Sequence, residues 1–194
     1  MPTNYQLTIN TPLGKMVAKA NDNAVFALDF VSCHCGLNYS HLVVSNSPPL
    51  VPERSRRLEG LGVVQYPEKQ EIPAYAEMTD NPNNILLQLA TELDEYFAGK
   101  RRVFSIPVLL QGTDFQKKAW QILQQIPYGK TISYTEQAML VGNKKAVRAV
   151  ANANSKNKIV LLVPCHRVIG SNGALTGFAS GLWRKKRLIE LEKN

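Results

Sequence analysis

The stretch "GTDFQKKAWQILQQIPYGKTISYTEQAMLVGNKKAVRAVANANS", Gly112 to Ser155, decides the fold of the carboxy-terminal part of the chain. Thr113 and Gln116 have the T-x-x-Q spacing of a capping box, in which two side chains satisfy free backbone N–H groups at a helix start. Phe115, Ala119, Ile122, Leu123 and Ile126 then fall on one helical face, and Pro127 to Gly129 make a turn. Ser133 and Glu136 repeat the capping signature ahead of Ala138, Met139 and Val141, and Gly142 stops that second helix. Asn143 is placed to cap a third helix, "KKAVRAVANANS", with Ala146, Val147 and Val150 inward and Lys144, Lys145, Arg148 and Asn152 outward. Short helix, Gly-containing turn, then a small-residue helix bearing cations is the layout of a helix-turn-helix. Ala149, Ala151 and Ala153 are expected on the outer face, where their small size lets the helix approach DNA closely. An ordinary helical hairpin with a solvated basic face meets the same spacing rules, so spacing alone leaves both readings open.

Upstream, "YQLTIN" alternates apolar and polar residues, "TPLGK" supplies Pro and Gly for a turn, and "MVAKA" and "AVFALDF" offer two further strands of an antiparallel meander. Ile85, Leu86, Leu89, Leu93, Tyr96 and Phe97 recur at helical spacing from Asn84, and Gly99 is suited to a left-handed cap. The first half therefore reads as α+β. Residues 31–80 show no sustained period and hold five of the 11 prolines, which predicts a long, poorly ordered loop. Within it, Cys33, His34 and Cys35, with His41 nearby, lack the spacing of a zinc finger and a second ligand pair, so no metal site is expected.

At 194 residues and 44% hydrophobic, the chain can build one sizeable domain or two small ones. The division predicted is 1–110, an amino-terminal α/β domain with the atypical segment at about 31–80, and 111–194, a DNA-binding domain. The longest apolar run, Ile159 to Val163, is too short to span a bilayer, and the chain start lacks a secretory pattern, so a soluble cytoplasmic protein is expected. Three cysteines argue against a disulfide framework and leave Cys165 a free thiol. The net charge of +8 is uneven: residues 111–194 hold 14 of the 23 Lys and Arg against four acids, whereas residues 1–110 hold nine against 11. A basic half beside a near-neutral one suggests a polyanionic partner, most often nucleic acid.

In "LLVPCHRVIGSNG", Leu161 to Gly173, a cysteine stands beside a histidine and an arginine. The apolar run before Pro164 predicts a buried strand, "IVLLVP", ending at Cys165. Nearby cations or a partnered base lower a thiol's pKa, which makes His166 and Arg167 suitable neighbours. Consecutive residues on an extended chain point opposite ways, so His166 reaches Cys165 only through a water or a tight turn. Glu190 and Glu192, on a helix beginning near Leu182, are the local carboxylates able to orient the imidazole.

"PCHRVIG", Pro164 to Gly170, resembles the active-site signature of the O6-alkylguanine-DNA alkyltransferases, or methylated-DNA-protein-cysteine methyltransferases. "GTDFQKKAWQILQQIPYGKTISY", "KKAVRAVANAN" and "GALTGFASGLWRKKRLIELE" agree with that family in order and spacing, so the resemblance covers nearly all of 111–194. Residues 1–30 and 84–110 resemble its amino-terminal domain more loosely. The resemblance implies an antiparallel, ribonuclease H-like sheet with a helix, followed by a mainly helical winged helix-turn-helix-type domain carrying the cysteine. It further implies irreversible, single-turnover transfer of an alkyl group from O6-alkylguanine, and as a second substrate O4-alkylthymine, in double-stranded DNA to Cys165 after base flipping.

By that resemblance His166 is the general base acting through water, Glu192 orients it, Tyr134 hydrogen-bonds the guanine, and Asn157 braces the active-site turn. Arg148 takes the place of the flipped nucleotide, and Lys144, Lys145, Ala149, Asn152 and Arg167 complete the expected DNA contacts. Val168 and Ala179 contribute main-chain groups to the pocket and Phe178 its wall. Lys158 stands where the family usually has Pro, and Phe178 where Tyr is common. No cofactor, metal, membrane or obligate protein partner is expected, and single-site chemistry requires only a monomer. Two other classes remain as alternatives: a non-catalytic helix-turn-helix protein with an inert Cys165, and a cysteine hydrolase, which would need direct base contact and an oxyanion hole.

Overall fold

The computed structural model describes residues 4–31, 76–77 and 83–193, all within one compact unit. The expected loop, with its Cys33, His34, Cys35 and His41, lies outside the described residues apart from Val31 and a two-residue strand.

Strands β1 (Tyr5–Ile9), β2 (Met16–Ala20) and β3 (Val25–Phe30) form the predicted meander, and β4 (Ala76–Glu77) pairs with the free edge of β1, giving the antiparallel order β3-β2-β1-β4. Alternation along β1 and β2 puts Leu7, Ile9, Met16 and Ala18 on one buried face, and a register shift opposite Lys19 and Ala20 lets Val25 join Leu28 and Phe30 of β3 in the same core. Helix α1 (Asn84–Phe97) covers the sheet with Leu86, Leu89, Leu93 and Tyr96, is capped by the Asn83 side chain on the Leu86 N–H, and gives way to Gly99 at φ 72°.

The outer edge of β3 is not left open. The Val25 N–H donates to Pro107 O (2.9 Å) and the Leu109 N–H to Val25 O (2.8 Å). Further along, the Leu28 N–H donates to Lys158 O (2.7 Å) and the Val160 N–H to Leu28 O (2.8 Å). One strand thus carries the chain that leaves the first half and the chain that leads to Cys165, and the main core continues from the sheet through Trp120, Leu123, Val163 and Leu188.

Helices α2 (Asp114–Gln125) and α3 (Tyr134–Val141) begin at the two predicted capping boxes, Thr113/Gln116 and Ser133/Glu136, both formed reciprocally. Gly142 ends α3 at φ 101°. The third helix departs from the sequence reading: residues 144–146 form a 3₁₀ turn, because Asn143 caps the Lys145 N–H, and α4 runs from Val147 to Ser155. Ala119, Ile122, Ala138, Val141, Val150 and Ala153 form a second small core among these helices. Ala153, expected outside, is buried because the Trp120 indole N–H donates to its carbonyl at 2.9 Å, drawing the end of α4 onto α2. Phe115 and Met139, expected inward, are exposed; Trp120 takes the inward place on α2.

The buried run before Pro164 is not a strand. Ile159 to Val163 is buried as expected, yet it is folded into turns, with Val163 N–H donating to Ile159 O (2.9 Å) and Leu161 at φ 73°. Asn157 imposes the bend: its Oδ1 accepts the Ile159 N–H (3.0 Å) while its Nδ2 donates to Val163 O (2.8 Å), so one side chain clamps both ends. Cys165–Arg167 then form a 3₁₀ turn, β6 (Val168–Ile169) pairs in parallel with β5 (Ile132–Ser133), and α5 (Leu182–Lys193) closes the chain.

Candidate active site

The turn places Cys165, His166 and Arg167 in the interior, with Cys165 7% exposed and His166 fully buried. Asn157 Nδ2 donates to Cys165 Sγ at 3.3 Å, so the residue that bends the chain also touches the sulfur. Burial pushes the thiol pKa up; the Asn157 hydrogen bond and the Lys185 charge act against that, and Asp29 adds to it.

His166 Nε2 lies 2.9 Å from Glu192 Oε1. Burial raises the carboxyl pKa of Glu192, but donation from His166 and Arg167, with the Arg167 charge, outweighs it and holds the group at about 2. An ionised carboxylate only accepts, so Nε2 carries the proton that meets it. Burial also lowers the imidazole pKa, against the pull of Glu192, and the ring is neutral. It follows that Nδ1 carries the lone pair, and this buried atom has no hydrogen-bond partner.

Five donations hold the Glu192 carboxylate: His166 Nε2, Arg167 Nε (2.8 Å) and Nη2 (2.9 Å), the Tyr96 hydroxyl (2.7 Å) and the Gly129 N–H (3.2 Å). Arg167 Nη1 also donates to Ile126 O at 2.6 Å. Arg167 was expected to touch DNA; instead its guanidinium is buried against this carboxylate and unavailable to a phosphate. Glu190, the alternative orienter, is on the exposed side of α5 and pairs with Lys186 and Arg187. Gly129 is demanded twice over: it sits at φ 74°, and a Cβ there would lie 2.6 Å from Glu192 O.

Tyr134, the first residue of α3, donates from its hydroxyl toward Thr176 O and Gly177 O, 3.2 Å from each. Burial raises its pKa, and the neighbouring Cys165 adds to the rise. Lys185, fully buried on α5, donates from Nζ to Val168 O (2.6 Å) and Thr176 O (2.5 Å) and lies 5.7 Å from the Tyr134 ring centroid. Its burial lowers its pKa to about 8. Phe178 packs half-buried against the main core, and Ala179 is exposed beside it.

Lys144, Lys145, Arg148, Ala149 and Asn152 are all exposed. The structure therefore gathers Cys165, His166, Glu192, Tyr134, Asn157 and Val168 around one interior turn and leaves the cationic residues on the surface. Tyr96 and Lys185 were not among the site residues read from the sequence. Lys185, Leu188 and Glu192 form the buried stripe of α5 at i, i+3, i+7, so two charged residues on an inward stripe were the available signal. Tyr96 carried no signal beyond a core aromatic. Among the described residues no helix is long and apolar enough to cross a membrane.

A family model described as the DNA binding domain of 6-O-methylguanine DNA methyltransferase matches residues 114–194, and one for its ribonuclease-like domain matches residues 50–110. The constitutive methylated-DNA-protein-cysteine methyltransferase of Bacillus subtilis is 38% identical over 191 residues, 98% of this chain and 96% of the relative. Its counterpart from Methanosarcina barkeri is 42% identical over 147 residues, 76% of this chain and 91% of the relative. The crystal structure of Mycobacterium tuberculosis OGT in complex with DNA superposes with a TM-score of 0.68 at 32% identity, covering 96% of this chain and 91% of that one. Likeness of this extent, sustained through both family models, shows that the chain belongs to the methylated-DNA-protein-cysteine methyltransferase family.

Proposed function

We propose that this protein repairs DNA by taking the alkyl group of O6-alkylguanine onto Cys165, once per molecule, with O4-alkylthymine as a second substrate. The observation that carries the reading is the buried turn in which Asn157 holds the Cys165 sulfur and ionised Glu192 fixes His166 with its Nδ1 unprotonated.

In the step itself the thiol proton passes through a water to His166 Nδ1, and the thiolate attacks the alkyl carbon opposite the guanine O6. The C–O bond breaks as the S–C bond forms, and the electron pair goes to the guanine. Tyr134 donates to the departing base and balances the charge it gains. Glu192 stays ionised, keeping the imidazole oriented and stabilising its cation. The product is a thioether, which no group in the site can cleave, so the protein is consumed.

The target atom is hidden in a duplex, so the nucleotide is turned out of the stack. Arg148 on the exposed face of α4 fills its place, while Lys144, Lys145, Ala149 and Asn152 approach the strands. Val168 and Ala179 offer main-chain groups to the base and Phe178 a wall. Residues 111–194 thus bear the DNA and acceptor functions, and residues 1–110 buttress them. A cytoplasmic setting, where thiols stay reduced, suits Cys165, the free cysteine among the described residues.

Intact-protein mass after incubation with a duplex containing O6-methylguanine tests the proposal. The mass rises by one methylene, with strict one-to-one stoichiometry, and Cys165→Ala shows no rise while still binding the duplex. An unchanged wild-type mass overturns alkyl transfer in favour of a non-catalytic DNA binder; repeated turnover of an ester would point to a hydrolase.

A further inference from the structure

Residues 174–181, which include the proposed pocket residues Phe178 and Ala179, are half exposed and half partly buried and contain no helix or strand. Their inner end is held by the Tyr134 hydroxyl and by Lys185, both meeting Thr176 O. Their outer end is held from the opposite half of the molecule. Ser180 Oγ donates to Asp29 Oδ1 of β3 at 2.9 Å. Arg184, in the first turn of α5, donates from Nη1 to Ser180 O (2.7 Å) and from Nε to Leu13 O (2.8 Å) in the β1–β2 turn. Its guanidinium lies over the Phe30 ring, 4.6 Å from the centroid, and 4.5 Å from that of Trp183. The approach is close enough that a Cβ on Gly14 would come within 3.1 Å of Nη2.

Three consecutive residues of β3 therefore address three parts of the site. Leu28 pairs with the turn leading to Cys165, Asp29 takes the Ser180 hydroxyl, and Phe30 supports the Arg184 guanidinium. A rigid strand that fixes both the cysteine turn and the far end of the opposing wall sets the distance between them. The planar guanidinium suits this task, since it can donate in two directions while stacking on an aromatic face.

We infer that Asp29, Ser180 and Arg184 form a latch through which the amino-terminal sheet positions residues 174–181 against Cys165, making Arg184 and Asp29 positioning residues for alkyl transfer. The inference rests on the reading of Cys165 as alkyl acceptor. Its consequence is a transfer rate that depends on the first half of the chain although that half carries none of the reacting groups.

Single-turnover transfer from an O6-methylguanine duplex should be measured with full-length wild type, Asp29→Ala, Asp29→Asn, Ser180→Ala and Arg184→Gln, together with duplex affinity and iodoacetamide alkylation of Cys165. Wild-type transfer in the same assay keeps failure of the underlying reading separate from failure of the latch. With the latch, Ser180→Ala, Asp29→Ala and Arg184→Gln lower the maximal transfer rate by about 10-fold or more, because small displacements of a reacting pair are costly. Affinity, which needs no aligned wall, stays within about two-fold of wild type, and iodoacetamide reactivity does not fall; in the Asp29 variants, relieved of a charge that pushes the thiol pKa up, it is unchanged or higher. Asp29→Asn keeps an acceptor for Ser180 and retains transfer, and the Asp29→Ala/Ser180→Ala double variant loses no more than either single one. Unchanged rates in the singles, additive losses in the double, an Asp29→Asn as slow as Asp29→Ala, or a parallel fall in iodoacetamide reactivity would each overturn the latch.

Discussion

At the scale of single residues, Glu192 does more than hold His166. Its five donors include a phenol from α1, a guanidinium and a backbone N–H, so removing its charge leaves Arg167 buried without a counter-ion. Glu192→Gln should destabilise the fold by about 3–5 kcal/mol, as the loss of one partner of a buried ion pair does, read as a fall in the urea midpoint. The pH dependence has a definite sign. Glu192 sits at about 2 in the fold against an ordinary 4.5, so its contribution is complete above 4.5 and is lost as the pH falls toward 2. His166 is held below its ordinary 6.5, so below that pH the unfolded chain takes up a proton that the folded chain refuses, which also lowers stability. Acid titration of the midpoint should show a decline starting near pH 6.5 and a steeper one below 4.5, to which Glu92 also contributes, and Glu192→Gln should make the second shallower. Cys165 and His166 were legible because they are neighbours in the chain, whereas spacing left Glu190 and Glu192 both open and only the family resemblance singled out Glu192. Arg167 misled because adjacent basic residues look alike until burial separates them.

At the scale of elements, the geometry of α3 against α4 is set by a buried amide pair. Gln137 Nε2 donates to Asn154 Oδ1 (3.1 Å) and to Ala119 O (3.1 Å), while Asn154 Nδ2 donates back to Gln137 Oε1 (2.8 Å). Neither amide is a helix-turn-helix signal in the sequence, yet each donates to and accepts from the other. Asn154→Ala strands the Gln137 carbonyl and should cost about 1–3 kcal/mol. Duplex affinity should fall with it as the exposed face of α4 loses its fixed angle, measured by calorimetry and by anisotropy of a labelled duplex. Capping boxes and glycine stops were readable because they are local chemistry. The apolar run before Pro164 was not, since five buried hydrophobic residues satisfy a strand and a compact turn equally until Asn157 is seen to bind both ends.

For the whole molecule, charge and chemistry are divided. The basic half carries the exposed Lys144, Lys145 and Arg148, and phosphate contacts release counterions, so the logarithm of duplex affinity should fall steeply and linearly with log salt while varying little with sequence. Arg148→Ala should slow repair of a duplex more than reaction with free O6-benzylguanine, because only the duplex needs a nucleotide turned out. Equal slowing of both would remove that role.

Tyr96 joins that division to the interior. A phenol from α1 supplies one of the donors on which the carboxylate of α5 depends, 96 residues away along the chain. The two halves are therefore chemically matched parts: a carboxy-terminal half transplanted beside a foreign amino-terminal one would inherit a buried anion short of a proton donor. Chimeras of this family should survive only where the incoming helix presents a hydroxyl at that place.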